Sequence, residues 1–178
     1  SSIYGNSGTN KMDEGVEEKI EPPSIYAASK LSGEVYAKNI LENSETNVII
    51  TRFFTVYGPF GRPDMSPMIF AKSILDGVPI KIFNYGKMHR DFTFIDDIIE
   101  SLTRVIFKIP TSNPNFKFDE PDLSTSFAPH RIFNIGNSNP VKLMDLFKAI
   151  EISLDKKSLK NFMPMQPGDV RATFADTS

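Results

Sequence analysis

Cysteine is absent from the 178 residues, and histidine occurs only twice, at His89 and His130. Disulfides and thiolate-bound metals are thereby excluded, and a histidine-rich metal site with them. No apolar run approaches the roughly 20 residues that a membrane helix requires, and no signal-peptide pattern opens the chain. Neither sign of charge dominates. A formal net charge of −2 with an isoelectric point near 5.7 argues against a dedicated nucleic-acid or anionic-membrane surface. The expectation is a soluble, cytoplasmic protein. The glycine pattern of a dinucleotide loop is missing too, and Gly58-Pro59-Phe60-Gly61 cannot replace it, because Pro59 lacks the N–H that a phosphate cradle needs.

What is present is an ordinary globular composition, 40% hydrophobic with ten glycines and thirteen prolines, sufficient for one core with several elements. Pro22, Pro23 and Ser24 mark a helix start, and Leu31, Val35, Tyr36, Ile40 and Leu41 follow at helical spacing, so a helix is expected to run to about Asn43 with those residues inward. "NVIITRFF" reads as a buried parallel strand. A Gly/Pro loop follows, then a helix from about Met68 to Asp76 stopped by Gly77. "PIKIF", "RDFTF" and "HRIFNIG" read as extended segments, with a turn at "NYGK". "DDIIESLTRVIFK" is amphipathic with charges that match the helix dipole, and "PVKLMDLFKAIEISL" reads as a helix opened by its proline. The polar, Pro-rich residues 109–130 suggest a surface insertion. The alternation of elements means an α/β fold. The chain opens "SSIYGNSGTN" without methionine and reads as the continuation of something already under way, hence as a fragment.

Three places carry potential chemistry. Tyr26 and Lys30 are four apart on the first helix and share a face, their Cβ atoms roughly 5–6 Å apart. A free phenol, with a pKa of about 10, is too weak a base at neutral pH, and a neighbouring ammonium favours the phenolate, which would make Tyr26 a general base. The spacing alone is common, with the ring packed and the lysine solvated. At the carboxyl edge of the "NVIITRFF" strand, where open α/β sheets bind ligands, stand Thr55 and Arg62, and Arg62 could grip a carboxylate or phosphate in bidentate fashion; the bland alternative is a stiff turn with an exposed arginine. Arg90, Arg171 and Asp169 are candidate contacts for anions and sugar hydroxyls, although an arginine next to an aspartate is usually a surface pair. Lys156 and Lys157 read as a solvated face, the methionines as filler, and His89 and His130 as polar surface.

Taken in order, "SSIYG", "YAASK", "RFFTVYGP", "GRPDM", "RDFTFIDD", "IFNIGN" and "MPMQPGD" resemble the extended short-chain dehydrogenase/reductase family, and within it the UDP-glucuronate 4-epimerases. The resemblance implies the C-terminal part of a Rossmann-type, doubly wound parallel sheet over residues 1–58 and a smaller α/β domain for the UDP-sugar over 59–178, the chain crossing back near 91–108 and 131–137. It implies NAD as cofactor and a homodimer. Tyr26 would take the proton of the sugar 4-hydroxyl while C4 gives up its hydride, and Lys30 would assist it and contact the nicotinamide ribose. Phe53 joins Tyr26 and Lys30 on the cofactor side. Thr55 and Arg62 match positions near the glucuronate carboxylate, Arg90 and Asp169 those that hold the UDP phosphates and ribose, and Ser1 and Ser2 are substrate contacts. Arg171 receives no role.

The family's Gly-rich loop, its acidic ribose-binding residue and its catalytic Ser or Thr, four residues before Tyr4, would all lie upstream of Ser1. The chain as written is therefore expected to hold NAD poorly, to be inactive alone and to be poorly soluble. Ser1 and Ser2 stand where relatives that dehydrate or decarboxylate the sugar carry acidic residues, which disfavours both reactions. The alternatives are another UDP-sugar 4-epimerase, against which Arg62 speaks, the decarboxylase, or a catalytically silent nucleotide-sugar-binding remnant.

Overall fold

The computed structural model describes residues 2–5, 11–15, 22–41, 46–117 and 119–177, with only the backbone of Leu41. Seven strands and four α-helices follow one another along these residues. The first helix, α1 (Ile25–Leu41), is capped by Ser24, whose Oγ accepts the N–H of Ala27 at 3.2 Å. It leads to β1 (Val48–Phe53) and the short β2 (Thr55–Tyr57). Helix α2 (Ser66–Asp76) carries Pro67 in its first turn and closes on Gly77, whose N–H reaches the Ile74 carbonyl. Then come β3 (Ile80–Ile82), a turn over Phe83–Gly86 in which Asn84 and Tyr85 take positive φ, β4 (His89–Phe94) and α3 (Ile95–Ile106). After a long loop the chain forms β5 (His130–Ile135), β6 (Pro140–Lys142), α4 (Leu143–Leu154) and β7 (Lys160–Phe162).

The strands form three small sheets. β1 and β5 pair in parallel with Val48 opposite His130 and Phe53 opposite Ile135. β4 lies between β2, parallel to it with Phe92 opposite Thr55, and β6, antiparallel to it with Arg90 opposite Val141. β3 and β7 form a third parallel pair. Parallel pairing needs helical crossovers, which α2, α3 and α4 provide. The main core lies between α2, α4 and β3: Phe70 stacks on Phe147 at 4.1 Å between ring centroids, surrounded by Ile74, Ile80, Ile82, Met88 and Leu143. The carboxylate of Glu151 in α4 is pinned to β7 by Lys160 Nζ at 2.6 Å and by the N–H of Ser158 at 2.8 Å. Lys160 first, and then Ser158, hold its pKa down at about 2. Among the described residues no helix is long and apolar enough to cross a membrane.

Several expectations need correction. On α1 the inward positions are Ala27, Ala28, Leu31, Glu34, Ala37 and Lys38, whereas Val35, Tyr36 and Ile40 are exposed. Small residues bring the helix close to its neighbours, and a charged pair described below replaces apolar contact. The last turn expected at Asn43 lies outside the described residues. β1 is only half-buried except at Arg52, its most buried residue. Pro140 opens a strand, not a helix; α4 begins at Leu143, whose N–H is taken by the Met88 carbonyl. The stretch 109–130 is not wholly surface: Ser124, Thr125, Ser126 and Ala128 are buried, because the chain folds back beside β5, with Thr125 bridged to Arg131. His130 is buried as well, at 1% exposure, and neither ring nitrogen finds a hydrogen-bond partner.

Burial keeps His130 neutral and pushes its pKa below the usual 6.5, with Lys38 acting in the same direction against the opposing charge of Glu34. The unfolded chain takes up that proton near pH 6.5 and the folded one does not, so acidification below 6.5 favours unfolding. Glu151 works in another window: its stabilisation is complete above 4.5 and is lost as pH falls toward 2. Denaturant midpoints measured from pH 7 downward are expected to fall less steeply for His130→Gln above pH 4.5, and for Glu151→Gln only below it. A His130→Gln curve parallel to that of the parent between pH 6.5 and 4.5 would contradict the first assignment.

Candidate active site

The capped first turn of α1 places Tyr26 and Lys30 one turn apart, with Lys30 Nζ 5.3 Å from the centre of the Tyr26 ring. Both face an open cleft of about 990 Å³. Its floor is the carboxyl end of β1 and the strand that follows, from Ile50 through Phe53 and Thr55 to Tyr57. Its rim is the turn Gly58–Gly61 together with Arg62. This is where open α/β sheets bind ligands. Tyr57 is held edge-on against Phe92 and Phe94 of β4, at 6.2 and 5.5 Å. Gly58 has φ of 140°, and a Cβ there would stand 2.5 Å from Cγ2 of Ile95, so only glycine lets the rim pass so close to α3. The N–H of Gly61 turns back to the Gly58 carbonyl at 3.1 Å.

Five of the residues singled out from the sequence, Tyr26, Lys30, Phe53, Thr55 and Arg62, thus border one cleft, and Ser2 borders it too. Ser1 lies outside the described residues. Tyr26 is 56% exposed and so accessible from the cleft. Arg62 is exposed and meets Asp64 through Nε at 3.1 Å and Nη2 at 2.5 Å, in fork geometry. Asp64 raises the pKa of Arg62 through its hydrogen bond and its charge, and Arg62 in turn lowers that of Asp64. Arg90 and Asp169 do not border the cleft but meet each other, Nη2 to Oδ1 at 2.7 Å, largely shielded from solvent. Arg171 contributes its main-chain carbonyl, which accepts from Arg90 Nη1 at 3.3 Å. Asp91 is not the surface partner of Arg90: strand alternation sends it to the opposite face, where it is fully buried. Among the described residues, no three side chains of histidine, aspartate or glutamate gather where they could hold a metal ion.

Sequence reasoning passed over the pair that seats α1. Glu34, one turn beyond Lys30, takes Nη2 of Arg52 at 2.7 Å and Nε at 3.1 Å, with the arginine side chain 6% exposed. Arg52 Nη1 donates to the Tyr4 hydroxyl at 2.8 Å, which donates to Asn134 Oδ1 at 2.7 Å. Asn134 Nδ2 then donates to the Met12 carbonyl at 2.7 Å and to Glu14 at 2.8 Å. The chain of bonds ties α1, β1, β5 and the first residues together directly beneath the cleft. A signal for it existed: a lone arginine in the apolar run "NVIITRFF" must find a buried anion or leave the strand.

Residues 1–136 match the model of the NAD dependent epimerase/dehydratase family, and the chain belongs to that family. It is 42% identical over 176 residues to Protein CapI of Staphylococcus aureus, covering 99% of this chain and 52% of that protein. It is 40% identical over 177 residues to a probable UDP-glucuronate 4-epimerase of Rhizobium meliloti, covering 98% and 51%. The fold superposes on a crystal structure of UDP-glucuronic acid 4-epimerase from Bacillus cereus in complex with UDP-glucuronic acid and NAD, with TM-score 0.80 and 31% identity, over 99% of this chain and 50% of the other. The chain spans about half the length of the curated relatives it matches. Its parallel pairs and crossovers are those of a Rossmann-type epimerase.

Removal of the Glu34 carboxylate leaves Arg52 charged and buried without an anion. Glu34→Ala is expected to lower stability by about 3 kcal/mol, as read from urea unfolding. A loss no larger than that of an exposed i, i+4 pair would show that the pair is not shielded as described.

Proposed function

We propose that the intact gene product is an NAD-dependent epimerase that interconverts UDP-glucuronate and UDP-galacturonate through a 4-keto sugar. The observation that carries this reading is the convergence of Tyr26, Lys30, Thr55 and Arg62 on one cleft at the carboxyl edge of β1. An acid–base device and an anion grip facing the same space suit a sugar acid. Tyr26, Lys30 and Phe53 fit one end of the cofactor, an aromatic floor with a phenol and an ammionium-bearing side chain above it; the Gly-rich phosphate loop is not in this chain. When bound, NAD supplies a reversible acceptor for the C4 hydride.

The chain's own residues do the rest. Tyr26 takes the proton from the 4-hydroxyl and returns it once the keto sugar has presented its other face. Lys30, its Nζ 5.3 Å from the centre of the Tyr26 ring, turns its ammonium toward the charge that develops on the phenol. Thr55 and Arg62 hold the sugar carboxylate, Arg62 exchanging part of its contact with Asp64 for the ligand, and a firmly held carboxylate protects the β-keto acid from losing carbon dioxide. Arg90 and Asp169 take the diphosphate and ribose, with Ser2 near the sugar. Residues 1–58 then complete the dinucleotide-binding part and 59–178 supply most of the sugar-nucleotide part. The homodimer implied by the resemblance finds support in the exposed apolar residues Ile25, Tyr36 and Ile40 of α1.

The intact gene product, incubated with NAD and UDP-glucuronate, is expected to form UDP-galacturonate. Tyr26→Phe should reduce kcat by about 10²–10⁴-fold with the protein still folded. Arg62→Ala should raise KM for UDP-glucuronate and release some decarboxylated pentose product. Unchanged turnover in Tyr26→Phe would remove the base, and an unaltered KM and product distribution in Arg62→Ala would remove the carboxylate grip.

A further inference from the structure

Asp91 takes no part in the chemistry above, yet its side chain is fully buried and, among the described residues, no ion pair reaches it. Three main-chain N–H groups hold the carboxylate: Asn137 at 3.0 Å on Oδ1, and Ser138 at 3.0 Å and Ala175 at 2.9 Å on Oδ2. The N–H of Asp91 itself donates to Thr173 Oγ1 at 3.0 Å, a hydroxyl on a residue that is 3% exposed. Three pieces of chain therefore meet at one carboxylate: β4, the turn between β5 and β6, and the segment 169–175. Gly136 permits the approach, since a Cβ there would stand 2.5 Å from that of Ala175 and 3.3 Å from Asp91 Oδ2.

The same segment surrounds Arg90. His89 donates its N–H to the Arg171 carbonyl at 3.0 Å, and the Thr173 N–H returns to the His89 carbonyl at 3.2 Å. Arg90 Nη1 is shared between the carbonyls of His89 at 2.9 Å and Arg171 at 3.3 Å, while Nη2 takes Asp169. Every acceptor that aims this guanidinium thus belongs either to β4 or to the segment fastened by Asp91 and Thr173. One face of β4 carries the cation and the opposite face its anchor.

We propose that Asp91 and Thr173 are positioning residues, a clasp that sets the register of segment 169–175 along β4 and so aims Arg90 and Asp169 at the diphosphate and ribose of a uridine nucleotide. The inference rests on the roles given to Arg90 and Asp169 in the proposed function. A carboxylate suits the task because it accepts several N–H groups at once and strengthens each by its charge.

The test is the affinity of the intact gene product for UDP, measured by titration calorimetry on Thr173→Val, Thr173→Ser, Arg90→Ala and the double variant R90A/T173V. Valine keeps the shape of threonine and removes the acceptor of the Asp91 N–H; serine keeps the acceptor. Thr173→Val is expected to weaken UDP by about fivefold, UDP-glucuronate by the same factor, and Thr173→Ser to bind as the parent does. In the Arg90→Ala background Thr173→Val should cost less than it does in the parent, only the Asp169 contact being left to misplace, which a general loss of packing would not reproduce. Thr173→Ala gives the same readings should the valine variant fail to fold. Unchanged UDP affinity in Thr173→Val while Arg90→Ala is weakened overturns the clasp alone, as does an equal loss in both backgrounds. Parent-like affinity in Arg90→Ala overturns the assignment of Arg90 and the clasp with it.

Discussion

The buried pair between Glu34 and Arg52 is the contact on which the cleft depends. Tyr26 and Lys30 of α1 face the open cleft instead of the sheet, so the helix's grip on the sheet has to come from other positions. On α1 those positions hold three alanines, a leucine, a glutamate and a lysine, too little apolar area to seat seventeen residues by hydrophobic contact alone. The ion pair supplies direction where apolar packing is thin: both oxygens of Glu34 engage the fork of Arg52, which fixes the helix in rotation as well as distance. Tyr4 and Asn134 then carry the same constraint into β5 and the first residues.

Charge is used in three different ways around this fold. Arg52 and Glu34 are paired and shielded, and their task is placement. Arg62 and Asp64 are paired but exposed, so their bond is weak and exchangeable. Arg90 and Asp169 stand between these limits, and their surroundings are main-chain carbonyls rather than an apolar wall. The distinction follows from where each pair sits, in the seam beneath a helix, on a loop at the rim, and along the edge of a strand.

Much of this was legible in the sequence. Helix α2 lies between Pro67 and Gly77, and α3 opens on two aspartates, as local punctuation and periodicity require. The cleft residues Tyr26, Thr55 and Arg62 stood out through the ordered short stretches that resemble the family, since a tyrosine and a lysine at helical spacing are common by themselves. What escaped notice depends on contacts distant in the chain. The inward face of α1 was misread because periodicity favours the apolar Val35, Tyr36 and Ile40, whereas the sheet beneath offers an arginine. Asp91 looked like the neighbour of Arg90, but its partners lie 46 to 84 residues away. His130 begins a strand whose flank is covered by the folded-back residues around Ser126, and nothing local in "APHRIF" announces that cover.

The central claim is that one cleft holds the sugar with its 4-hydroxyl at Tyr26 and its carboxylate at Arg62. A crystal structure of the intact gene product with NAD and UDP-glucuronate tests it most directly. The account predicts the Tyr26 hydroxyl within about 2.6–3.2 Å of the sugar 4-oxygen, with the Arg62 guanidinium turned from Asp64 onto the carboxylate. A sugar lying away from Tyr26, or a carboxylate facing solvent while Arg62 stays on Asp64, would contradict it.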